Sequence, residues 1–111
     1  HVNGNILASG TITPDYVFEH YFEGESPSKP DYILKPIEEV KTFVKENKHL
    51  PRVLSAQDVK KQGGIIVNKA TEINLEKIEE LYLYLFELEE ENIKIEKRIS
   101  YLEEKLKELG K

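Results

Sequence analysis

Cysteine, methionine and tryptophan are all absent from this 111-residue chain. Without cysteine there is no disulfide, no thiolate nucleophile and no Cys-based metal site. No apolar run approaches the ~18 residues of a membrane span. A basic surplus is missing too. The formal net charge is −5, whereas duplex binding needs a basic surface. Neither nucleic acid nor membrane insertion is therefore expected among the partners. Catalytic signatures are as scarce. The three histidines, His1, His20 and His49, show no HxH or HExxH spacing. No serine lies in a nucleophile-elbow context, and no glycine-rich loop has the spacing for phosphate. No catalytic site, cofactor or single-chain metal site is expected. One histidine per chain on a threefold axis would still make a three-nitrogen site, and His1 is the candidate. The start, His1-Val2-Asn3-Gly4, has no signal-peptide character and no initiator methionine, and reads as a cut from a longer chain.

What the chain does have is a heptad. With Ile78 at a, the a series is Ile78, Leu85, Asn92, Ile99 and Leu106. The d series is Leu81, Leu88, Ile95, Leu102 and Leu109. A 3.5-residue apolar repeat keeps one seam towards a partner helix. A helix docked only on its own domain drifts towards a 3.6 repeat and a broader stripe. These ten residues are the expected oligomerisation site, with Asn92 as a specifier of register and oligomer state. Charge is uneven along the helix. Eight Glu and one Lys lie between Glu72 and Asn92, against six basic and four acidic residues from Lys94 to Lys111. The glutamates read as a solvated exterior.

The remaining seventy or so residues form a core that is marginal alone, so association would help stabilise it. Residues 1–13 hold a tight-turn dipeptide, Asn3-Gly4, and two short strands, Ile6-Leu7-Ala8 and Thr11-Ile12-Thr13. Thr13-Pro14-Asp15 predicts a helix start, with Thr13 as N-cap and Val17, Phe18, Tyr21 and Phe22 on one face. Gly24 ends it. A second helix is expected from Pro36, with Ile37, Val40, Phe43 and Val44 at helical spacing, stopping near Asn47-Lys48-His49 ahead of Pro51. Ser55-Ala-Gln-Asp58 resembles a capping box and opens a short helix that halts at Gly63-Gly64. Ile65-Ile66-Val67 reads as a buried strand, and Thr71 or Asn74 as the cap of the long helix. Tyr82, Leu83, Tyr84 and Phe86 fall outside the seam. They are expected to lie buried as a collar under the helix at 36–48 and the strand at 65–67. Among the other aromatics, Phe18, Phe22 and Phe43 are expected in the core. Tyr32, in a polar loop, is the candidate ring for stacking on a receptor or glycan.

Taken in order, several stretches resemble one family. They are HVNGNILASGTIT, Pro14-Asp15-Tyr16-Val17-Phe18, Pro36-Ile-Glu-Glu-Val40, His49-Leu50-Pro51, Ser55-Ala-Gln-Asp-Val59, Gly63-Gly64 and Leu75 to Tyr84. The set is similar to the C-terminal domain of bacteriophage tail-fibre and surface-adhesin proteins of Bacteroidetes. More distantly it resembles the endosialidase-type intramolecular chaperones, which trimerise a fibre and then cut themselves off. The resemblance implies a homotrimer at the distal end of a fibrous protein, on a virion or an extracellular surface. It also implies contact with a host receptor or glycan. The self-cleaving family uses a Ser-Asp pair followed closely by basic residues. Here the matching place reads Thr13-Pro14-Asp15, with no Lys or Arg before Lys29, so self-cleavage is not expected.

The expected architecture is α+β: a β-rich shaft end at 1–13, a small α/β head at 14–70, and a helix at 71–111 forming a parallel trimeric coiled coil. Its function is expected to be trimerisation and registration of a fibre tip. The alternatives are a self-processing chaperone and a dimeric coiled-coil adaptor.

Overall fold

The computed structural model describes residues 12–110. Four helices follow one another: α1 (Tyr16–Glu23), α2 (Ile37–Asn47), α3 (Ala56–Gln62) and α4 (Val67–Leu109). Of the described residues 70% are helical, and none is in a strand or sheet. The α+β expectation is therefore wrong, and the molecule is mainly α. Of the shaft end placed at residues 1–13, all but Ile12 and Thr13 lie outside the described residues, as do the Asn3-Gly4 turn and His1. Ile12 and Thr13 are not in a strand. Contacts divide the chain into two units, His1–Glu80 and Leu81–Lys111.

The strand expected at Ile65-Ile66-Val67 is the lead-in to α4, which starts at Val67. A β-branched run needs a neighbouring strand to satisfy its backbone, and the described residues offer none. Gly64, at φ 142°, is the last breaker, and nothing from Val67 to Ala70 opposes a helix. The helix therefore extends back past its expected cap. The amide of Ala70 bonds the Ile66 carbonyl at 2.9 Å. Thr71, expected as a cap, turns its hydroxyl back onto the Val67 carbonyl at 2.8 Å.

Local signals place α2 and α3 where expected. Lys48 takes the left-handed conformation that ends α2, at φ 62°. The Ser55 hydroxyl accepts from the Asp58 amide at 3.1 Å, and the Asp58 carboxylate accepts from the Ser55 amide at 3.3 Å, so the capping box is complete. Gly63, at φ 85°, closes α3.

Helix α1 begins later than expected. Asp15, not Thr13, occupies its N-cap, in a left-handed conformation at φ 67° and with no side-chain cap bond. Its inward face also differs. Tyr16 and Val17 are buried, whereas Phe22 is 71% exposed and cannot be core. The reason lies on α4, which draws the chain before α1 onto its carboxylates.

Candidate functional site: the open seam of the long helix and the carboxylate face behind it

Every apolar a and d residue of α4, from Ile78 to Leu109, is exposed in the single chain, from 45% at Leu102 to 82% at Leu109. Asn92 is exposed as well. The row lies open to water for the whole length of the heptad. Leaving nine large aliphatic side chains in one exposed line forfeits roughly 1.5–3 kcal/mol for each that a partner would bury.

The opposite side of α4 is occupied in the unit His1–Glu80. Glu72, Glu76, Glu79 and Glu80 sit at positions b, f, b and c, away from the seam. Three of them, Glu76, Glu79 and Glu80, are buried. The acidic stretch is therefore only partly the solvated exterior expected of it; this face holds the head together. The Thr13 amide donates to Glu72 Oε1 at 2.8 Å, and the Asp15 amide to Glu79 Oε2 at 3.2 Å. The Tyr16 hydroxyl donates to Glu76 Oε1 at 2.6 Å, and the Tyr32 hydroxyl to Glu80 Oε2 at 2.5 Å.

Buried carboxylates need compensating charge. Lys29 lies 2.7 Å from Glu72. Arg52 lies 3.1 Å from Glu76, and Lys77 spans Glu76 and Glu80 at 3.1 and 3.0 Å. Lys77 meets Glu76 Oε2 as an ion pair only, because that oxygen has no hydrogen bond of good geometry. The cations also cover rings: Lys29 lies 5.2 Å from the Tyr16 centroid and Arg52 5.8 Å from that of Tyr32. Tyr16 and Tyr32 pack edge to face at 5.1 Å, and His20 meets Tyr32 at 5.5 Å.

Glu79 is the exception, because no cation pairs with it among the described residues. Burial raises its pKa above the usual 4.5, and the nearby Asp15 charge adds to this. The amides of Asp15, Phe18 and Val17 pull the other way. Glu79 thus serves from another helix as the anionic cap that Asp15 does not supply to α1. Its Oε1, like Nδ1 of His20, has no hydrogen-bond partner of good geometry among the described residues. Glu72 shifts downward, mainly through its hydrogen bond from Lys29, helped by the amide and hydroxyl of Thr13. Burial and the bond to Glu76 raise the Tyr16 phenol, which stays a donor.

Several expected roles move. Tyr32 is 1% exposed. Its ring is packed and its hydroxyl engaged, so it offers no platform for a receptor or glycan in this chain. The collar is not a buried set: Leu83 is buried, but Tyr82 and Phe86 are 53% and 48% exposed. The absence of a strand at 65–67 removes half of its expected cover. Lys29, remote from Thr13 in sequence, reaches it through Glu72, which spacing alone could not show. The heptad seam was legible as a pattern. The tyrosine–glutamate pairs were not, because each partner sits at least 48 residues from the other.

Among the described residues no group of three or more His, Cys, Asp or Glu side chains is placed to hold a metal. No helix there is long and apolar enough to cross a membrane. No protein-family model matches the chain, and neither curated proteins nor solved structures give a match.

Proposed function

We propose that this chain is a self-assembling terminal module of a fibrous protein, holding copies together through a parallel homotrimeric coiled coil of α4. The observation that carries this is the continuous exposed a/d row from Ile78 to Leu109. Mixed Ile and Leu at both positions departs from the Ile-at-a, Leu-at-d dimer pattern and favours three strands. Asn92 at a favours register over strength, and its preference for dimers works against three. The fibre setting, a phage tail fibre or extracellular adhesin whose tip meets a host surface, rests on the sequence resemblance. Light scattering is expected to give three times the 12.9 kDa chain mass. Twice that mass would replace the trimer with a dimeric adaptor, and a monomer at micromolar concentration would end the proposal.

Self-processing at Thr13 is the competing function, and the structure supplies one feature in its favour, the Lys29–Glu72 pair beside that residue. The pair also weakens the case. Lys29 holds the Glu72 carboxyl below its usual range and so makes it a poor base. A longer chain carrying more of the preceding sequence is expected to keep one intact mass over days. Cleavage at Ile12–Thr13 that disappears in Thr13→Ala would overturn this.

A further inference from the structure

Within the unit His1–Glu80, N-terminal to the seam, lies an open groove of about 480 Å³, mostly apolar but with Arg52, Gln62 and Lys69 in its lining. Leu54, Val59, Ile66, Ala70, Ile73 and Asn74 are among its lining residues. Leu54 and Ile66 are 46% and 47% exposed. In the heptad frame carried back along α4, Ala70 is at g, Ile73 at c and Asn74 at d, with Ile66 just before the helix. The groove therefore meets α4 on its g side, one turn before Ile78, where Thr71 and Asn74 hold the a and d positions. On the other edge, at e, stands Leu75, half-buried. The b and f positions between them are filled by Glu72 and Glu76, already engaged by Thr13, Lys29, Tyr16 and Arg52. Each copy thus has a hollow on its g edge and a leucine on its e edge.

Parallel coiled coils set g of one helix against e of the next, five residues on. That offset pairs Ala70, which lines the hollow, with the partner's Leu75, a small residue against a large one. We infer that the groove is an intersubunit pocket, filled in the assembly by the e edge of the neighbouring α4 with the partner's Leu75 as its plug. This rests on the parallel assembly proposed above and adds that the head, not the helix alone, takes part in the contact. Packing of this kind is directional, because each copy gives its plug to one neighbour and receives one from the other. It closes as a ring.

The chain has no cysteine among the described residues or elsewhere, so single thiols report without background. Full-length Ala70→Cys and Leu75→Cys chains are unfolded together, refolded, and treated with a short bifunctional maleimide. Circular dichroism confirms that each variant has refolded. A covalent dimer is expected from the mixture and from neither variant alone. Leu102→Cys, at a d position where like residues meet, is expected to crosslink on its own. Crosslinking of Leu102→Cys without any 70-to-75 product would overturn the pocket while leaving the parallel assembly standing. Failure of both would overturn the two together. A second readout is Ile66→Glu, expected to lower the melting temperature by several degrees in a concentration-dependent way. No change there would count against the pocket independently.

Discussion

At the scale of single residues, charge burial decides more than apolar burial does. Among the described residues, Tyr16, Val17, Tyr32 and Leu83 are the buried hydrophobic residues, while Glu76, Glu79 and Glu80 are buried as charges. The pH behaviour of these carboxylates divides by sign. Glu79, raised in the folded state, holds its proton more tightly there than in the unfolded chain. Its penalty develops as pH rises from about 4.5 through the raised value, and is complete above that value. Glu72, lowered in the folded state, contributes stability above about 4.5 that fades as pH falls through its folded value. Glu79→Gln keeps an acceptor for the Asp15 amide and removes the uncompensated charge. Thermal melts should show the variant several degrees more stable than the parent at pH 7, with the gain shrinking at pH 4. A loss at pH 7 would mean that the charge–helix interaction outweighs desolvation.

At the scale of elements, the short helices follow their own sequence and the first one does not. Helix α3, seven residues long, carries its signals at its two ends, namely the Ser55–Asp58 box and Gly63. Ser55→Ala should cost about 1 kcal/mol of α3 stability. Amide exchange is the measurement, with faster exchange expected at Asp58 and Val59 and little change in α2. Helix α1 holds equally good local signals in Thr13-Pro14-Asp15, yet starts at Tyr16. Three partners on α4 claim the strap before and at its start, Glu72 for Thr13, Glu79 for Asp15 and Glu76 for Tyr16. Hydrogen bonds to charged groups are worth more than a neutral cap, roughly 1.5–3 kcal/mol against about 1. That margin offsets the left-handed Asp15, which costs on the order of 1–2 kcal/mol.

At the scale of the whole molecule, the seam and the off-seam aromatics should separate in a mutational comparison. In the proposed trimer Leu102→Ala removes a side chain that the copies would bury together, at about 2–5 kcal/mol for each buried leucine. It should lower the melting temperature sharply and make it more dependent on chain concentration. Phe86→Ala touches a ring already 48% exposed. It should cost no more than about 0.5 kcal/mol, as for other surface positions. Melts at two chain concentrations check both. A large effect of Phe86→Ala would show that the ring is covered in the assembly.

The heptad was legible in the sequence because it is a one-dimensional property: its period, Asn92 and its other a/d residues depend on spacing alone. The bounds of α2 and α3 were legible for the same reason, since caps and breakers such as Ser55, Lys48 and Gly63 act within a few residues. The β-branched run at 65–67 misled, because a strand exists only by pairing, and pairing is decided by distant segments. Without a partner, that run joins the nearest regular structure, the helix that follows it. Tertiary structure also decided which charges go inside. Glu72, Glu76, Glu79 and Glu80 look like other helix-surface glutamates until Tyr16, Lys29, Tyr32 and Arg52 fold onto them. A carboxylate is buried only where such partners offset its desolvation, and no local pattern encodes partners 24 to 60 residues away.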